Sequence, residues 1–308
     1  MSFRELFSEH GLSLDRLRAF LDVVDAGSIV KAAGGDPNRQ SQYSRQIKEL
    51  EVFFGATLTT RKGRRITFTE EGERLARLIR SSFESLADFR ADSRNEQRRT
   101  SVAAGASVIE WLLAPVLAEC RATLGNVLME TRTMRSGDVV RALDDGQTDF
   151  GIIRSDAVTP SLSVEVIGEI GYSLFAPRSL AVSGNPRSGK AWEQLLSNLP
   201  QARLVEGGRL RRAIDEAHEA LLIRPQIVAE TTSLLQLAAL VNQGQCAAIL
   251  PQTAKSSFST DEVTAIPLTG FLNYQRKLCL VWQASRLKKR GWGDAQARAI
   301  AISLRKRI

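Results

Sequence analysis

The chain has 308 residues, 43% of them hydrophobic, which is enough for about two or three domains with substantial apolar cores. Its 42 Lys and Arg residues outnumber its 34 Asp and Glu, and the net charge of +8 favours an anionic partner without distinguishing nucleic acid from an acidic ligand. No apolar run approaches the ~18 residues of a membrane span, and the N-terminal residues lack the apolar segment of a signal peptide, so we expect a soluble, cytoplasmic protein.

The first part of the chain predicts three helices in succession. Behind Ser13, a good N-cap, apolar residues recur at helical spacing as far as Val24, and Ala26-Gly27 ends this helix. A short second helix follows over 28–33. After a turn comes a third, amphipathic helix, whose inner side carries Tyr43, Ile47, Leu50 and Phe54. Helix, short helix, turn and polar-faced helix is the order of a helix-turn-helix.

The outward side of the third helix carries hydrogen-bonding and cationic side chains. Gln and Arg can form paired hydrogen bonds to base edges, and Ser and Lys can hold phosphates, so such a face suits the major groove of DNA. The alternative is an ordinary surface helix with a solvated polar face. On the first interpretation we assign DNA contacts to Arg39, Gln40, Ser41, Gln42, Ser44, Arg45 and Lys48.

A short basic hairpin is predicted next, with strands over 58–61 and 64–68 around Lys62-Gly63. Arginines and a lysine crowd its tip, and a wing of this charge can neutralise phosphates or enter a minor groove. The alternative is a solvated basic turn. Beside a polar-faced helix we favour the first interpretation and assign DNA contacts to Arg61, Arg64 and Arg65.

Residues 32–72 resemble the DNA-binding segment of the LysR-type transcriptional regulators. The matches at that family's spacing are Ala32-Ala33, Gln40, Ser44, Ile47, Leu50-Glu51, Gly55, Leu58, Arg61, Arg64, Thr69 and Gly72. The departures include Ser41 in place of Pro and Thr59 in place of the wing Phe. Arg39 stands where Ser or Thr usually caps the helix, so Asp36 can act as the N-cap instead, with Pro37 in the first helical position.

The resemblance implies a fold and a set of partners. The fold is an N-terminal all-α winged helix-turn-helix over 1–69, a linker helix and hinge over 70–99, and a C-terminal α/β effector-binding domain over 100–308, which resembles the two-lobed type-2 periplasmic binding proteins. The partners are double-stranded DNA, a small-molecule effector and further copies of the chain in a homodimer or homotetramer, with RNA polymerase as a further candidate. Such a chain regulates transcription and is not an enzyme.

The segment from Glu70 to about residue 90 predicts a long helix with a narrow apolar stripe. The stripe follows a short heptad seam, with Ser82 at one of its positions. Because so narrow a stripe would be exposed to solvent in a monomer, we predict a dimer-forming helix. The alternative is that the helix packs on its own domain. The predicted dimer contacts are Leu75, Ile79, Leu86 and Phe89.

From Ser101 onward strands alternate with helices, the order of a mostly parallel α/β sheet, and the first helix is predicted as one element over about 108–123. Two similar helix-to-strand junctions, at 143–153 and 241–250, indicate two lobes with a cleft between them. In the fold that the chain resembles, the chain passes to the second lobe and later returns. These crossings would fall near 168–172 and 267–270, so that lobe I comprises about 100–168 and 268–308 and lobe II about 169–267.

Polar residues follow the predicted strands of this domain. In open α/β sheets, ligands bind beyond the carboxyl ends of strands, against helix N-termini, and hydroxyls and free N–H groups there suit a carboxylate or another anion. The alternative for each Ser or Thr is a simple helix cap, and for each Arg a surface ion pair. We assign effector contacts to Ser107, Val108, Arg135, Ser136, Arg154, Gly207, Thr232 and Ser233, and we expect no metal, cofactor or catalytic residue.

Two rival functions come from other classes. Residues 184–191 approach the phosphate loop of nucleotide hydrolases, but Ala191 replaces the hydroxyl that would bind Mg²⁺. A cytoplasmic small-molecule-binding protein without DNA function would not need the wing or the polar-faced helix. Cys120, Cys246 and Cys279 lie far apart and form no CxxC, so we expect buried thiols and no redox pair.

Overall fold

A computed structural model describes residues 11–62, 65–125, 127–180, 186–205 and 208–308. The chain divides into two compact units. The first comprises Met1–Arg98, Arg141–Gln147 and Lys288–Gly291, and the second comprises Arg99–Val140, Thr148–Leu287 and Trp292–Ile308. Within the described ranges, no helix is both long enough and apolar enough to cross a membrane.

The first unit is a winged helix-turn-helix followed by a long helix, as predicted. Its elements are α1 (Leu14–Ala26), α2 (Ile29–Ala32), α3 (Pro37–Phe54), β1 (Thr59–Lys62), β2 (Arg65–Phe68) and α4 (Glu70–Ser93). The strands β1 and β2 pair antiparallel as the wing. Gly27 and Gly55 end α1 and α3 in the left-handed conformation, at φ +63° and +61°, which glycine adopts without strain.

The core of this unit explains why the predicted dimer seam is only partly exposed. Leu75 and Ile79 of α4 are buried beside Phe20 and Leu50, in the same cluster as the inner faces of α1 and α3. Assigning Leu75 and Ile79 to a dimer contact was therefore wrong, because side chains already covered by their own domain have no surface left for a partner. Leu86 and Phe89 are 56% and 72% exposed, and their assignment stays a prediction.

From Arg99 onward the chain alternates strands and helices. In chain order these are β3 (Arg99–Ala104), α5 (Ala106–Val108), α6 (Leu117–Thr123), β4 (Leu128–Thr133), α7 (Ser136–Asp144), β5 (Phe150–Arg154), β6 (Ser163–Ile170), β7 (Tyr172–Pro177), α8 (Gly189–Asn198), β8 (Pro200–Leu204), α9 (Arg209–Ala220), β9 (Gln226–Thr231), α10 (Leu234–Asn242), β10 (Ala248–Pro251), β11 (Val263–Pro267), β12 (Arg276–Trp282), α11 (Ala284–Lys289) and α12 (Asp294–Arg305).

One sheet forms lobe I of the second unit, and two smaller groups of paired strands form lobe II. The lobe I sheet has the strand order β4-β3-β5-β12-β6. In lobe II, β7 lies between β10 and β11, and β8 pairs with β9. A bridge between Gln201 and Ala247 joins these two groups of strands. The chain passes from β6 to β7 through Gly171 alone and returns between β11 and β12.

The lobe I sheet is more mixed than predicted. β3, β4 and β5 are parallel, but β12 runs antiparallel to both β5 and β6. The reason is topological. β6 leaves lobe I at the edge where β3, β4 and β5 end, and the returning chain enters at that edge, so β12 must run the other way. We call this edge, which carries the carboxyl ends of β3 to β6 and the amino end of β12, the cleft edge.

The helix predicted over 108–123 is not continuous. It is divided into α5, a π-helical turn over Ile109–Leu113, a 3₁₀ turn over Ala114–Val116, and α6. Pro115 lies in the 3₁₀ turn, where a missing N–H and a bulky ring are incompatible with regular helical hydrogen bonds. The break lets Trp111 pack into the lobe II core, where its Nε1 donates to Ser257 Oγ at 2.7 Å.

Candidate nucleic-acid interface and ligand cleft

The start of α3 confirms that the helix begins early. Asp36 is the N-cap and accepts a hydrogen bond from the Asn38 amide at 2.9 Å, and Pro37 occupies the first helical position. The side chain of Gln40 donates to the Gly35 carbonyl at 3.0 Å, so it ties the helix to the preceding turn. A carboxylate at a helix N-terminus is favoured by the helix dipole as well as by the capping bond.

The two sides of α3 differ as an amphipathic reader helix requires. Tyr43, Ile47 and Leu50 are buried against α1. The Tyr43 hydroxyl bonds to Asp22 Oδ2 at 3.1 Å, which fixes the rotation of α3 about its axis. Among the predicted contacts on α3, Gln40 is half-buried and the remaining ones are exposed: Arg39, Ser41, Gln42, Ser44, Arg45 and Lys48.

The wing is anchored to α3 by one carboxylate. Glu51 Oε1 accepts hydrogen bonds from the amides of Leu58 and Thr59, at 2.9 and 3.0 Å, and from the Thr59 hydroxyl at 3.2 Å. Glu51 is one of the family matches in the sequence, but this role is not visible there, since the bonds join residues seven and eight positions apart in different elements. Arg64 lies outside the described residues, as do the side chains of Arg61 and Arg65.

Thr69 and Gly72 fix the junction between the wing and α4. Thr69 caps α4 by accepting a bond from the Gly72 amide at 3.0 Å, and its hydroxyl donates to the Thr57 carbonyl at 2.6 Å. A Cβ at position 72 would stand 2.2 Å from the Leu58 carbonyl oxygen. Glycine is therefore needed here so that the helix can approach the wing backbone.

Several predicted ligand contacts of lobe I meet at the cleft edge. Ser107 follows β3, Arg135 and Ser136 follow β4, and Arg154 ends β5; these three strands are neighbours in the order β4-β3-β5. The Ser136 hydroxyl accepts a hydrogen bond from the Arg154 amide at 3.3 Å, which joins two of the strand ends. Ser107 and Ser136 are half-buried, and Arg135 is exposed.

An ion-pair chain connects this edge with lobe II. Arg154 Nε donates to Asp156 Oδ1 at 3.1 Å, and the other oxygen of Asp156 lies 2.6 Å from Arg209 Nη1 at the start of α9. Arg209 belongs to lobe II, so the strand ends of the two lobes face each other across a cleft. Asp156 and Arg209 were not predicted from the sequence, because nothing local in it indicates that two loops about fifty residues apart form an ion pair.

The lobe II side presents hydroxyls at the end of β9. Ser233 caps α10 by accepting a bond from the Leu235 amide at 3.2 Å, and Thr232 beside it is exposed. Gly207 lies outside the described residues. Assigning Val108 to an effector contact was wrong: its side chain is in the lobe I core, and its amide already donates to the Gly105 carbonyl at 2.9 Å.

The 184–191 loop and the three cysteines have structural roles. In the described part of the 184–191 loop, Ser188 caps α8 through the Ala191 amide at 3.3 Å, and a Cβ on Gly189 would stand 2.7 Å from Leu221 Cδ2. All three cysteines are free and buried. Burial raises the pKa of each thiol, and that of Cys120 to about 11.

Comparison with known proteins agrees with this geometry. The family model described as LysR substrate binding domain matches residues 93–291, and the model described as bacterial regulatory helix-turn-helix protein, lysR family, matches residues 14–73. A probable nitrogen assimilation transcriptional activator of Synechococcus elongatus is 27% identical over 276 residues, 88% of each chain.

Solved structures share the fold over nearly the whole chain. A full-length variant of OxyR from Pseudomonas aeruginosa superposes with a TM-score of 0.62 at 17% identity, over 96% of each chain. Full-length CbnR in complex with its target DNA gives a TM-score of 0.59 at 19% identity, over 96% of this chain and 100% of that one.

Proposed function

The chain belongs to the LysR family of DNA-binding transcriptional regulators, whose members are controlled by small-molecule effectors, and from this premise we propose how it performs that function. The outward side of α3 reads bases in a major groove, and the wing holds the flanking phosphates. Pairs of chains joined through α4 place two such readers on the DNA. A small anion in the cleft of the second unit controls how the readers are arranged.

The observation that carries the DNA part of the proposal is the construction of α3. Its inner side chains are fixed in a core, its start is capped by Asp36, and its outer side presents Ser44, Arg45 and Lys48 to solvent. A rigid support matters because base readout requires side chains to reach hydrogen-bonding edges at fixed positions. We assign base contact to Arg45 and phosphate contact to Lys48.

The assembly part of the proposal is supported by the exposed apolar residues of α4. Leu78, Leu86 and Phe89 are 59%, 56% and 72% exposed, and exposed apolar residues on a helix of this length mark a surface for another protein. A second copy of the chain is the partner that symmetry favours, since each copy offers the same apolar face. Two readers then bind two half-sites, which raises both affinity and specificity.

The effector part of the proposal is supported by the cleft edge. Ser107 and Ser136 lie there at half-buried positions, Thr232 lies at the end of a lobe II strand, and Arg154 and Arg209 make the surroundings cationic. Because the Asp156 ion pairs span the cleft, a ligand that competes for these arginines changes the contact between the lobes. Such a ligand shifts the regulator only by the difference in its affinity for the two arrangements, typically about 1–3 kcal/mol.

The test uses genomic fragments selected by the purified full chain and measures their binding by fluorescence anisotropy. Arg45→Ala should weaken binding by about 1–3 kcal/mol and relax preference at one base position. Lys48→Ala should weaken binding to all fragments and reduce the slope of log K against log salt by about 1. Arg212→Ala removes an exposed arginine from α9 in lobe II and is the matched control. Unchanged affinity in both α3 variants would refute the assignment.

A further inference from the structure

One arginine of the second unit, Arg276, has a partly buried side chain and no ion-pair partner among the described residues. Arg276 is the first residue of β12 and is half-buried. Its Nε atom is closed off from solvent without a hydrogen-bond partner, and none of the ion pairs among the described residues includes it. Buried polar atoms of a guanidinium are usually hydrogen-bonded, because removing them from water without compensation costs folding free energy. The described part of the chain therefore supplies no counter-charge for this guanidinium.

The position of Arg276 follows from the direction of its strand. β12 pairs antiparallel with β6, with Arg276 opposite Ile170, and with β5, with Leu278 opposite Arg154. The amino end of β12 therefore projects past the carboxyl end of β5, on the cleft edge. Arg276 shares this edge with Ser136 and Arg154.

A buried tyrosine of the lobe II core, Tyr172, follows two residues after Ile170, the β6 residue that lies opposite Arg276. Tyr172 opens β7 directly after Gly171, and its ring is 5.5 Å from that of Tyr274, two residues before Arg276. Burial raises the pKa of Tyr172, while the nearby positive charge of Arg276, and after it that of Arg154, acts in the opposite direction. The phenol stays protonated at neutral pH and can donate a hydrogen bond. Among the described residues, no acceptor for that bond is present.

Arg154 provides the contrast. It is on the same edge and near the same tyrosine, but its guanidinium is satisfied by Asp156, which also pairs with Arg209. An arginine that serves only to pack near Tyr172 should have a carboxylate partner, as Arg154 has in Asp156. The two donors Arg276 and Tyr172 instead have no acceptor in the described part of the chain.

We propose that Arg276 and the Tyr172 hydroxyl form an oxyanion subsite at the end of the cleft where the chain crosses between the lobes, and that this subsite binds the negatively charged group of the effector. The inference rests on the proposed function, because it names the group in that cleft that recognises charge. A guanidinium offers parallel N–H donors that match two oxygens of one ligand group, a geometry that a lysine cannot reproduce. The ligand class is a small molecule with a carboxylate or an inorganic oxyanion.

The experiment measures ligand binding to the full chain by its thermal stabilisation, at constant ionic strength. The probes are sodium sulfate, phosphate and nitrate in one arm and sodium salts of mono- and dicarboxylic acids in the other, so that the arms distinguish the two sources of an oxyanion. At least one probe should raise the melting temperature of the wild type in a saturable way. Arg276→Gln should weaken its apparent Kd by about tenfold or more, and Tyr172→Phe by a smaller factor.

Two controls separate recognition from a structural role. Lys277→Gln removes an exposed positive charge from the neighbouring position of the same strand and should leave the apparent Kd unchanged. Arg276→Lys keeps the charge but loses the planar fork, and should bind more weakly than the wild type. Without ligand, Arg276→Gln should melt at or above the wild-type temperature, because it removes an uncompensated charge; a structural arginine would give the opposite result.

The outcomes also separate this inference from the proposed function. A probe whose binding is lost in the triple variant Ser107→Ala, Ser136→Ala, Thr232→Ala but is unaffected by Arg276→Gln would leave the cleft in place and overturn the subsite. If no oxyanion stabilises the wild type in a saturable way, both the proposed subsite and the proposed anionic effector are refuted. Loss of binding in Arg276→Gln together with retention in Lys277→Gln supports the subsite.

Discussion

His218 offers a prediction whose size follows from its surroundings. It lies on the buried side of α9, with its ring 5.3 Å from that of Phe271, and lines a cavity of about 20 Å³, the size of a single water molecule. Its Nε2 has no hydrogen-bond partner among the described residues. Burial lowers the pKa of His218 to about 4; Asp215 opposes this shift, and Arg203 and Arg211 add to it.

The low pKa makes the stability of lobe II depend on pH in a known direction. The unfolded chain takes up a proton at His218 near the ordinary pKa of 6.5, whereas the folded chain resists until the pH approaches 4. Above 6.5 both states are neutral and the full stability is present; as the pH falls from 6.5 to 4, the unfolded state binds more protons and stability is lost. At about 1.36 kcal/mol per pKa unit, this loss is about 2 kcal/mol between pH 7 and about pH 4.5.

His218→Leu isolates this contribution. The variant should unfold in urea within about 1 kcal/mol of the wild type at pH 7 and be more stable than it by about 2 kcal/mol at about pH 4.5. Because the carboxylates are common to both chains, their own acid effects cancel in the difference. The chain has two histidines, so His10→Gln leaves His218 as the single imidazole signal for an NMR titration. A midpoint near 6.5 in the folded chain would refute the reasoning.

Three further outcomes test other parts of the structure. Gly72→Ala should lower the free energy of unfolding by about 1–3 kcal/mol and weaken DNA binding, since the wing backbone must move. The control Gly137→Ala, with nothing within 4 Å of its added Cβ, should change the free energy of unfolding by less than about 1 kcal/mol. Equal urea midpoints for the two variants would contradict this prediction. Leu86→Glu with Phe89→Glu should sediment as a monomer, and a wild-type sedimentation coefficient would exclude this face. Cys120 should resist alkylation in the native chain at pH 7, where a pKa of about 11 leaves roughly one thiol in 10⁴ ionised; rapid native labelling would show that burial does not protect it.

Local patterns were sufficient for the reader helix. The periodicity that sets Tyr43, Ile47 and Leu50 on one side of α3 corresponds to their burial, whereas Phe54, predicted on the same side at the end of the helix, is exposed. The pair Asp36-Pro37 begins the helix because a capping carboxylate and a preset φ both act within one turn. Interactions of this kind depend on residues a few positions apart. They are therefore present in the sequence itself.

The linker helix shows where periodicity stops being informative. A stripe through Leu75, Ile79, Leu86 and Phe89 predicts one apolar side of a helix but does not say what covers it. In α4 the first two residues complete the core of their own domain, and the last two remain exposed. A domain boundary thus divides one stripe into two surfaces. Only the packing of α1 and α3 against α4 determines where the division falls.

The ligand cleft depends on strand direction, which no local pattern encodes. A search beyond the carboxyl ends of parallel strands finds Ser107, Ser136 and Arg154, because β3, β4 and β5 all end at the cleft edge. It passes over Arg276, since an arginine before a strand is expected at the opposite edge. Once the chain has crossed to lobe II and returned, that expectation reverses: β12 enters at the cleft edge and brings its first residue there. The same crossing that creates the cleft therefore supplies it with a cation from the beginning of a strand, next to the tyrosine that begins β7.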